Sequence, residues 1–160
     1  MQQKHINGRV GWLCAFFLLM AGPLSGAWAQ DAMSRSPLVL VSGGERHDFT
    51  VEVAKTDAQH RTGLMYRTRL ASDAGMLFDY GTPRKITMWM KNTLISLDMI
   101  FISGDGRIVS IAENTVPFSL AVIASGDLAQ AVLEVNAGTA ARLGLEAGDW
   151  VEHDVFSVGQ

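Results

Sequence analysis

Cysteine is almost missing from these 160 residues. Cys14 stands alone, so no internal disulfide can form. Basic residues are outnumbered 13 to 16, and the net charge of -3 leaves no basic footprint for nucleic acid. Metal-ligand spacing is also missing: there is no H-x-H, no H-E-x-x-H and no Glu-x-x-His. No G-x-S-x-G elbow is present, and Gly104-Asp105-Gly106 lacks the glycine pattern of a phosphate loop. The longest apolar run, Val10 to Met20, is too short to cross a bilayer, which takes about twenty residues. What is there is ordinary: 48% apolar and 18% charged residues, which excludes a disordered tail, a collagen-like repeat and a coiled coil.

The first residues read as an address. Lys4 and Arg9 precede the apolar run without any acid, and Gly22, Pro23, Ser25 and Ala27-Trp28-Ala29 follow it. A charged start, a short apolar middle and an A-x-A end make a secretory signal peptide over residues 1–29, cleaved after Ala29. Cys14 leaves with it, which excludes thiol catalysis and thiolate metal sites in the exported chain. The protein is then expected to be periplasmic in a Gram-negative cell and secreted otherwise, with no membrane association after cleavage. Residues 30–37 read as a flexible polar leader, and residues 38–158 as a single β-rich domain.

Within that domain Leu38–Val41 and His47–Ala54 read as a hairpin around Ser42-Gly43-Gly44. Thr56-Asp57-Ala58-Gln59 is a capping box for a helix over Asp57–Thr62. Met76–Phe78 is a short strand broken by Gly81-Thr82-Pro83, and Lys85–Lys91 alternates as another. Leu94–Ile102 and Arg107–Ala112 form a hairpin across Gly104-Asp105-Gly106. Ala129–Val135 is a strand, Thr139–Leu143 a short helix stopped by Gly144, and Trp150–Phe156 the last strand. About eight short strands and two short helices predict an α+β, mostly β domain, folded as a compact small barrel.

Six segments in order carry a family resemblance: Gly63–Arg67, Gly75–Phe78, Met88–Thr93, Leu97–Phe101, Leu133–Gly138 and Gly148-Asp149. Together they resemble the domain of unknown function 192 family over nearly the whole mature domain. The resemblance implies a small β-rich single domain and no established activity. The corner Ala141–Val151 is also similar to the helix-turn-strand corner of psi-type barrels.

Several residues could carry chemistry. Asp98 lies in an apolar strand beside Ile100 and Ile102, where a carboxylate must be paired, hydrogen-bonded or functional. Glu134 repeats the pattern beside Val132 and Asn136. Asp98 and Glu134 could form an acid/base pair if about 5 to 10 Å apart, as in a hydrolase, or be two separate structural carboxylates. Arg67, Lys91, Asn92, Thr93 and Asp98 could hold a ligand at a barrel mouth, although turn chemistry also explains Asn92 and Thr93. Met88 and Met90 could bind Cu(I) as in a periplasmic carrier, although alternation makes them core residues. Nothing in the sequence requires a cofactor. The expectation is an exported non-catalytic barrel module that binds a small polar ligand or a protein partner.

Overall fold

The computed structural model describes residues 33–156, together with Met1. The expected signal peptide and Cys14 lie outside the described residues. Seven strands and two short helices make up the domain. Strand β1 (Ser34–Ser42) pairs antiparallel with β2 (Glu45–Ala54), from Ser34 opposite Val53 to Ser42 opposite Glu45. The two-residue connection, Gly43-Gly44, has φ of 57° and 84°, the doubly positive turn whose twist matches that of paired strands. Residues 34–37 were expected in a flexible leader; they are instead the first half of β1, held by the ladder to β2.

Helix α1 (Asp57–Thr62) starts on the capping box predicted for it. The Gln59 backbone N–H donates to Thr56 Oγ1, and the Lys55 and Thr56 N–H groups donate to Gln59 Oε1. This helix carries the chain over to β3 (Ala74–Met88), which runs parallel to β2. The predicted strands at 76–78 and 85–91 are one element. Gly81-Thr82-Pro83 bulges out between Asp79 and Arg84, and pairing with β6 resumes beyond it. That merger makes the strand count seven rather than eight.

Strand β4 (Leu97–Ile102) and β5 (Ile108–Ala112) form the expected hairpin. Strand β6 (Ile123–Asn136) inserts between β4 and β3. Helix α2 (Thr139–Leu143) and β7 (Trp150–Glu152) complete the order β5-β4-β6-β3-β2-β1-β7. The sheet curls until its two edges meet at one end. Ile108 N–H donates to Asp149 O at 2.8 Å, and Val151 N–H donates to Gly106 O at 2.7 Å. The last strand is shorter than predicted, because beyond Glu152 the chain turns back on itself.

Both faces of the central strands are covered, and every residue of β4 is buried. One cluster draws on all seven strands and fills the curl, with Leu38, Leu40, Val51, Leu77, Ile100, Leu133 and Val151 among its members. The other lies on the outer face of β3, β4 and β6, where Met76, Phe78, Met99, Phe101 and Val132 meet Leu64 and Met90 from the connections. No described helix is long and apolar enough to cross a membrane.

Candidate functional site

Strand parity decides the fate of the two carboxylates. In the β4–β6 ladder Asp98 is opposite Val135 and Met99 is opposite Glu134. Side chains alternate across a strand, so Asp98 and Glu134 point to opposite faces of the sheet. They cannot flank one substrate, so the acid/base alternative loses its geometry and the reading of two separate carboxylates fits. Asp98 lies on the inner face with Ile100 and Ile102, and is fully buried. Its Oδ1 accepts the Asn114 N–H and its Oδ2 accepts the Ala140 N–H, both at 2.8 Å. This carboxylate ties the β5–β6 connection and the first turn of α2 to β4. In this place it serves as a structural anchor, with both oxygens engaged by backbone N–H groups.

Arg67 is also withdrawn from the expected site. Its two terminal nitrogens each donate to a Glu52 carboxylate oxygen at 2.7 Å. The bidentate hydrogen bonds hold the Glu52 carboxyl below the usual carboxylate range and the Arg67 guanidinium above its own. Of the methionines proposed for Cu(I), Met90 is fully buried and lies 3.2 Å from the Thr115 hydroxyl. Met88 instead accepts from the Tyr80 hydroxyl at 3.5 Å and faces solvent-reachable space. The two thioethers do not open into one site. Among the described residues no group of three or more His, Cys, Asp or Glu could hold a metal ion.

What the chain does bring together lies on the outer face. An open cleft of about 770 Å³ is lined by α1 and the segment after it, by β3, and by the turn that follows β3. Met65, Phe78, Tyr80, Met88 and Trp89 supply apolar surface, and Lys91, Asn92 and Thr93 stand along one side. These last three were predicted site residues. Lys91 Nζ lies 5.2 Å from the Trp89 ring centroid. Asn92 has a φ of 56° and donates through Nδ2 to the Tyr66 hydroxyl at 2.9 Å. The Tyr66 N–H donates back to Asn92 O, so the segment after α1 is clasped to the turn after β3. Turn geometry and cleft lining are therefore two jobs of the same residues.

Glu134 is the single carboxylate lining the cleft, and it is only 5% exposed. Among the described residues its side chain has no hydrogen-bond or ion-pair partner. Burial alone pushes its pKa up to about 8. Tyr80 feels it: burial first, then the nearby Glu134 charge, raises the phenol. The row across the sheet explains the contrast with Glu52. Glu52, Met76, Glu134 and Met99 are ladder partners on four adjacent strands. Two strand spacings, roughly 10 Å, separate the carboxylate that has an arginine from the one that does not. Sequence pattern marked Glu134 as unusual; it held no signal for the cleft, because most of the lining, from His60 to Thr93, lies far from Glu134 in the chain.

The structure and sequence can be set beside known proteins. A family model described as an uncharacterised ACR, the domain of unknown function 192, matches residues 38–153. A crystal structure of a protein from Sinorhizobium meliloti 1021, named there as a candidate transcription regulator, is 47% identical with a TM-score of 0.76. The match covers 78% of this chain and 98% of that one. A protein of unknown function from Novosphingobium aromaticivorans DSM 12444 is 40% identical with a TM-score of 0.73, over 82% of this chain and 90% of that one. No functionally curated protein matches.

Proposed function

The chain belongs to the domain of unknown function 192 family, and from that premise we propose that it is an exported, non-catalytic module whose outer-face cleft binds a small molecule. The observation that carries this reading is Glu134: a side chain only 5% exposed, without a protein partner among the described residues, on the wall of a concavity that solvent still reaches. Among the described residues no fully buried side-chain N or O lacks a hydrogen-bond partner, so the Glu134 oxygens face the cleft rather than dry core, and a carboxyl placed there can meet a group brought from outside. Binding is favoured over catalysis because Asp98, the second carboxylate, is held in backbone hydrogen bonds on the other face. The ligand is less polar than expected from the sequence alone. Its body meets aromatic rings and thioethers, and one polar end meets Glu134.

Four of the six segments that carry the family resemblance supply lining residues: Met65, Phe78, Met88, Trp89, Lys91 to Thr93, and Glu134. The regulator name attached to the Sinorhizobium meliloti relative finds no support in a net charge of -3, which is not the basic balance of a nucleic-acid binder. A protein partner across the cleft is the second reading. Val116, Phe118, Leu120 and Val122 favour it, since all four are more than half exposed and Val122 reaches the cleft. Export rests on the pattern of residues 1–29. The binding test is a fragment screen by NMR on the full chain. Shifts confined to Met65, Thr87–Thr93 and Glu134 support the reading, and hits that scatter over the surface overturn it.

A further inference from the structure

Given that cleft as a ligand site, its lining also selects the polar group the ligand carries. We propose that the cleft takes an organic ammonium ion, its N–H donors on the Glu134 carboxylate and its carbon chain against Phe78, Met65, Met88 and Trp89. The inference rests on the binding reading above and goes one step past it.

The lining holds electron-rich rings and thioethers beside one carboxylate that no donor of the lining reaches. Glu134 offers two carboxylate oxygens with no partner among the described residues. The Tyr80 proton is already directed at Met88 Sδ, and the Asn92 amide is already directed at the Tyr66 hydroxyl. The remaining wall combines thioethers and rings with the Thr62, Thr87 and Thr93 hydroxyls and the exposed Arg61 and Lys91, and ring faces attract cations. Trp89 already has a cation near its ring, the Lys91 ammonium at 5.2 Å. What no described residue supplies, and a ligand can, is an N–H donor placed on the Glu134 carboxylate.

The protein's own cations do not fill that place. From α1 come His60 and Arg61; His60 is engaged with the Ala54 carbonyl at 2.9 Å, and Arg61 is exposed. From the turn after β3 comes Lys91, also exposed. From β3 comes Tyr80, and from β4 the ladder partner is Met99, which does not titrate. Glu52, in the same row on β2, keeps Arg67 for itself. Burial is accordingly the cause of the raised Glu134 pKa, with no nearby cation lowering it. A bound ammonium would reverse that balance and hold the carboxyl ionised. At pH 7 its binding should therefore release a proton.

The test compares three probes with one tail: octylamine, 1-octanol and octanoate, each titrated into the full chain below its aggregation limit. Cleft occupancy is read from the backbone amides of Met65 and Thr87–Thr93. A charge-assisted pair predicts that octylamine binds about tenfold or more tightly than octanol at pH 8.5. Octanoate should bind most weakly. The amine preference should shrink at pH 6, where Glu134 is protonated and octylamine is still a cation, and should vanish in Glu134→Gln. Equal binding of amine and alcohol in the cleft overturns the ammonium assignment and leaves the binding reading standing. So does an amine preference that persists unchanged in Glu134→Gln. If no probe moves the cleft amides, the binding reading falls, and the assignment falls with it. Should the variant not fold, the wild-type comparison at the two pH values decides, and a pH-independent preference overturns the assignment.

Discussion

Glu134 keeps a proton that the same side chain loses in water, because the outer cluster strips its carboxylate of solvent and offers no cation in return. The sign of the stability effect follows. Above the unfolded value near 4.5 the unfolded chain has given up this proton while the folded chain holds it until about 8. Folding stability therefore falls as pH rises between those values. Glu134→Gln removes the titration. It should stabilise the protein by up to about 3 kcal/mol at pH 7 and by almost nothing at pH 4. Urea unfolding at the two pH values measures this, and an unchanged difference would mean that Glu134 is not desolvated. Asp98 is the converse case. Asp98→Ala leaves one buried and one part-buried backbone N–H without an acceptor and should destabilise by about 3 kcal/mol, whereas Asp98→Asn keeps one acceptor and should lose less. Neither Asp98 variant should alter ligand binding at the cleft, since that side chain lies on the other face.

At the scale of elements, the close approaches that shape the curl concentrate at a few joints. Gly106 has a φ of 90°, and a Cβ placed there would lie 2.6 Å from the Val151 carbonyl oxygen. Gly106→Ala should therefore part the two edges of the sheet where they meet, at a loss of about 2 kcal/mol or more. Faster amide exchange at Ile108 and Val151 than at Leu133 would locate the opening, whereas uniform exchange would argue against a local joint. Elements set by their own residues were legible beforehand. The α1 capping box, the Gly43-Gly44 turn and the β4–β5 hairpin each depend on side chains or turn residues a few positions apart. The single long β3 was not legible. Gly81-Thr82-Pro83 carries every local sign of a strand break, and only the β6 ladder on both sides makes it a bulge. Ser34–Pro37 was misread for the same reason. Its residues have no apolar alternation, and they become a strand because β2 lies alongside.

For the whole molecule, the curl separates two tasks. Its inner cluster closes the barrel-like core, and its outer face carries a second cluster whose margin is the cleft. The expected site at a barrel mouth thus moves to the outside, keeping Lys91, Asn92 and Thr93 and losing Arg67 and Asp98. The proposal of export concerns the full chain. Protein recovered from its host should begin at Gln30, one residue past Ala29, which intact-mass spectrometry reads directly. A chain that keeps residues 1–29 would count against the address read from them. The same measurement would show whether Cys14 is retained.

Composition, short-range pattern and six ordered segments determined by themselves the mostly β class, the family, and which polar residues stand out on apolar strands. Those are local properties, because side-chain period, caps and turns act over a few residues. Only the tertiary structure decided what the polar residues do. Whether a carboxylate meets two backbone N–H groups, an arginine or an empty cleft depends on strand register and on which distant segments cover each face. Register reverses a side chain's surroundings with a shift of one residue. Asp98, Glu52 and Glu134 show all three outcomes on three strands of one sheet.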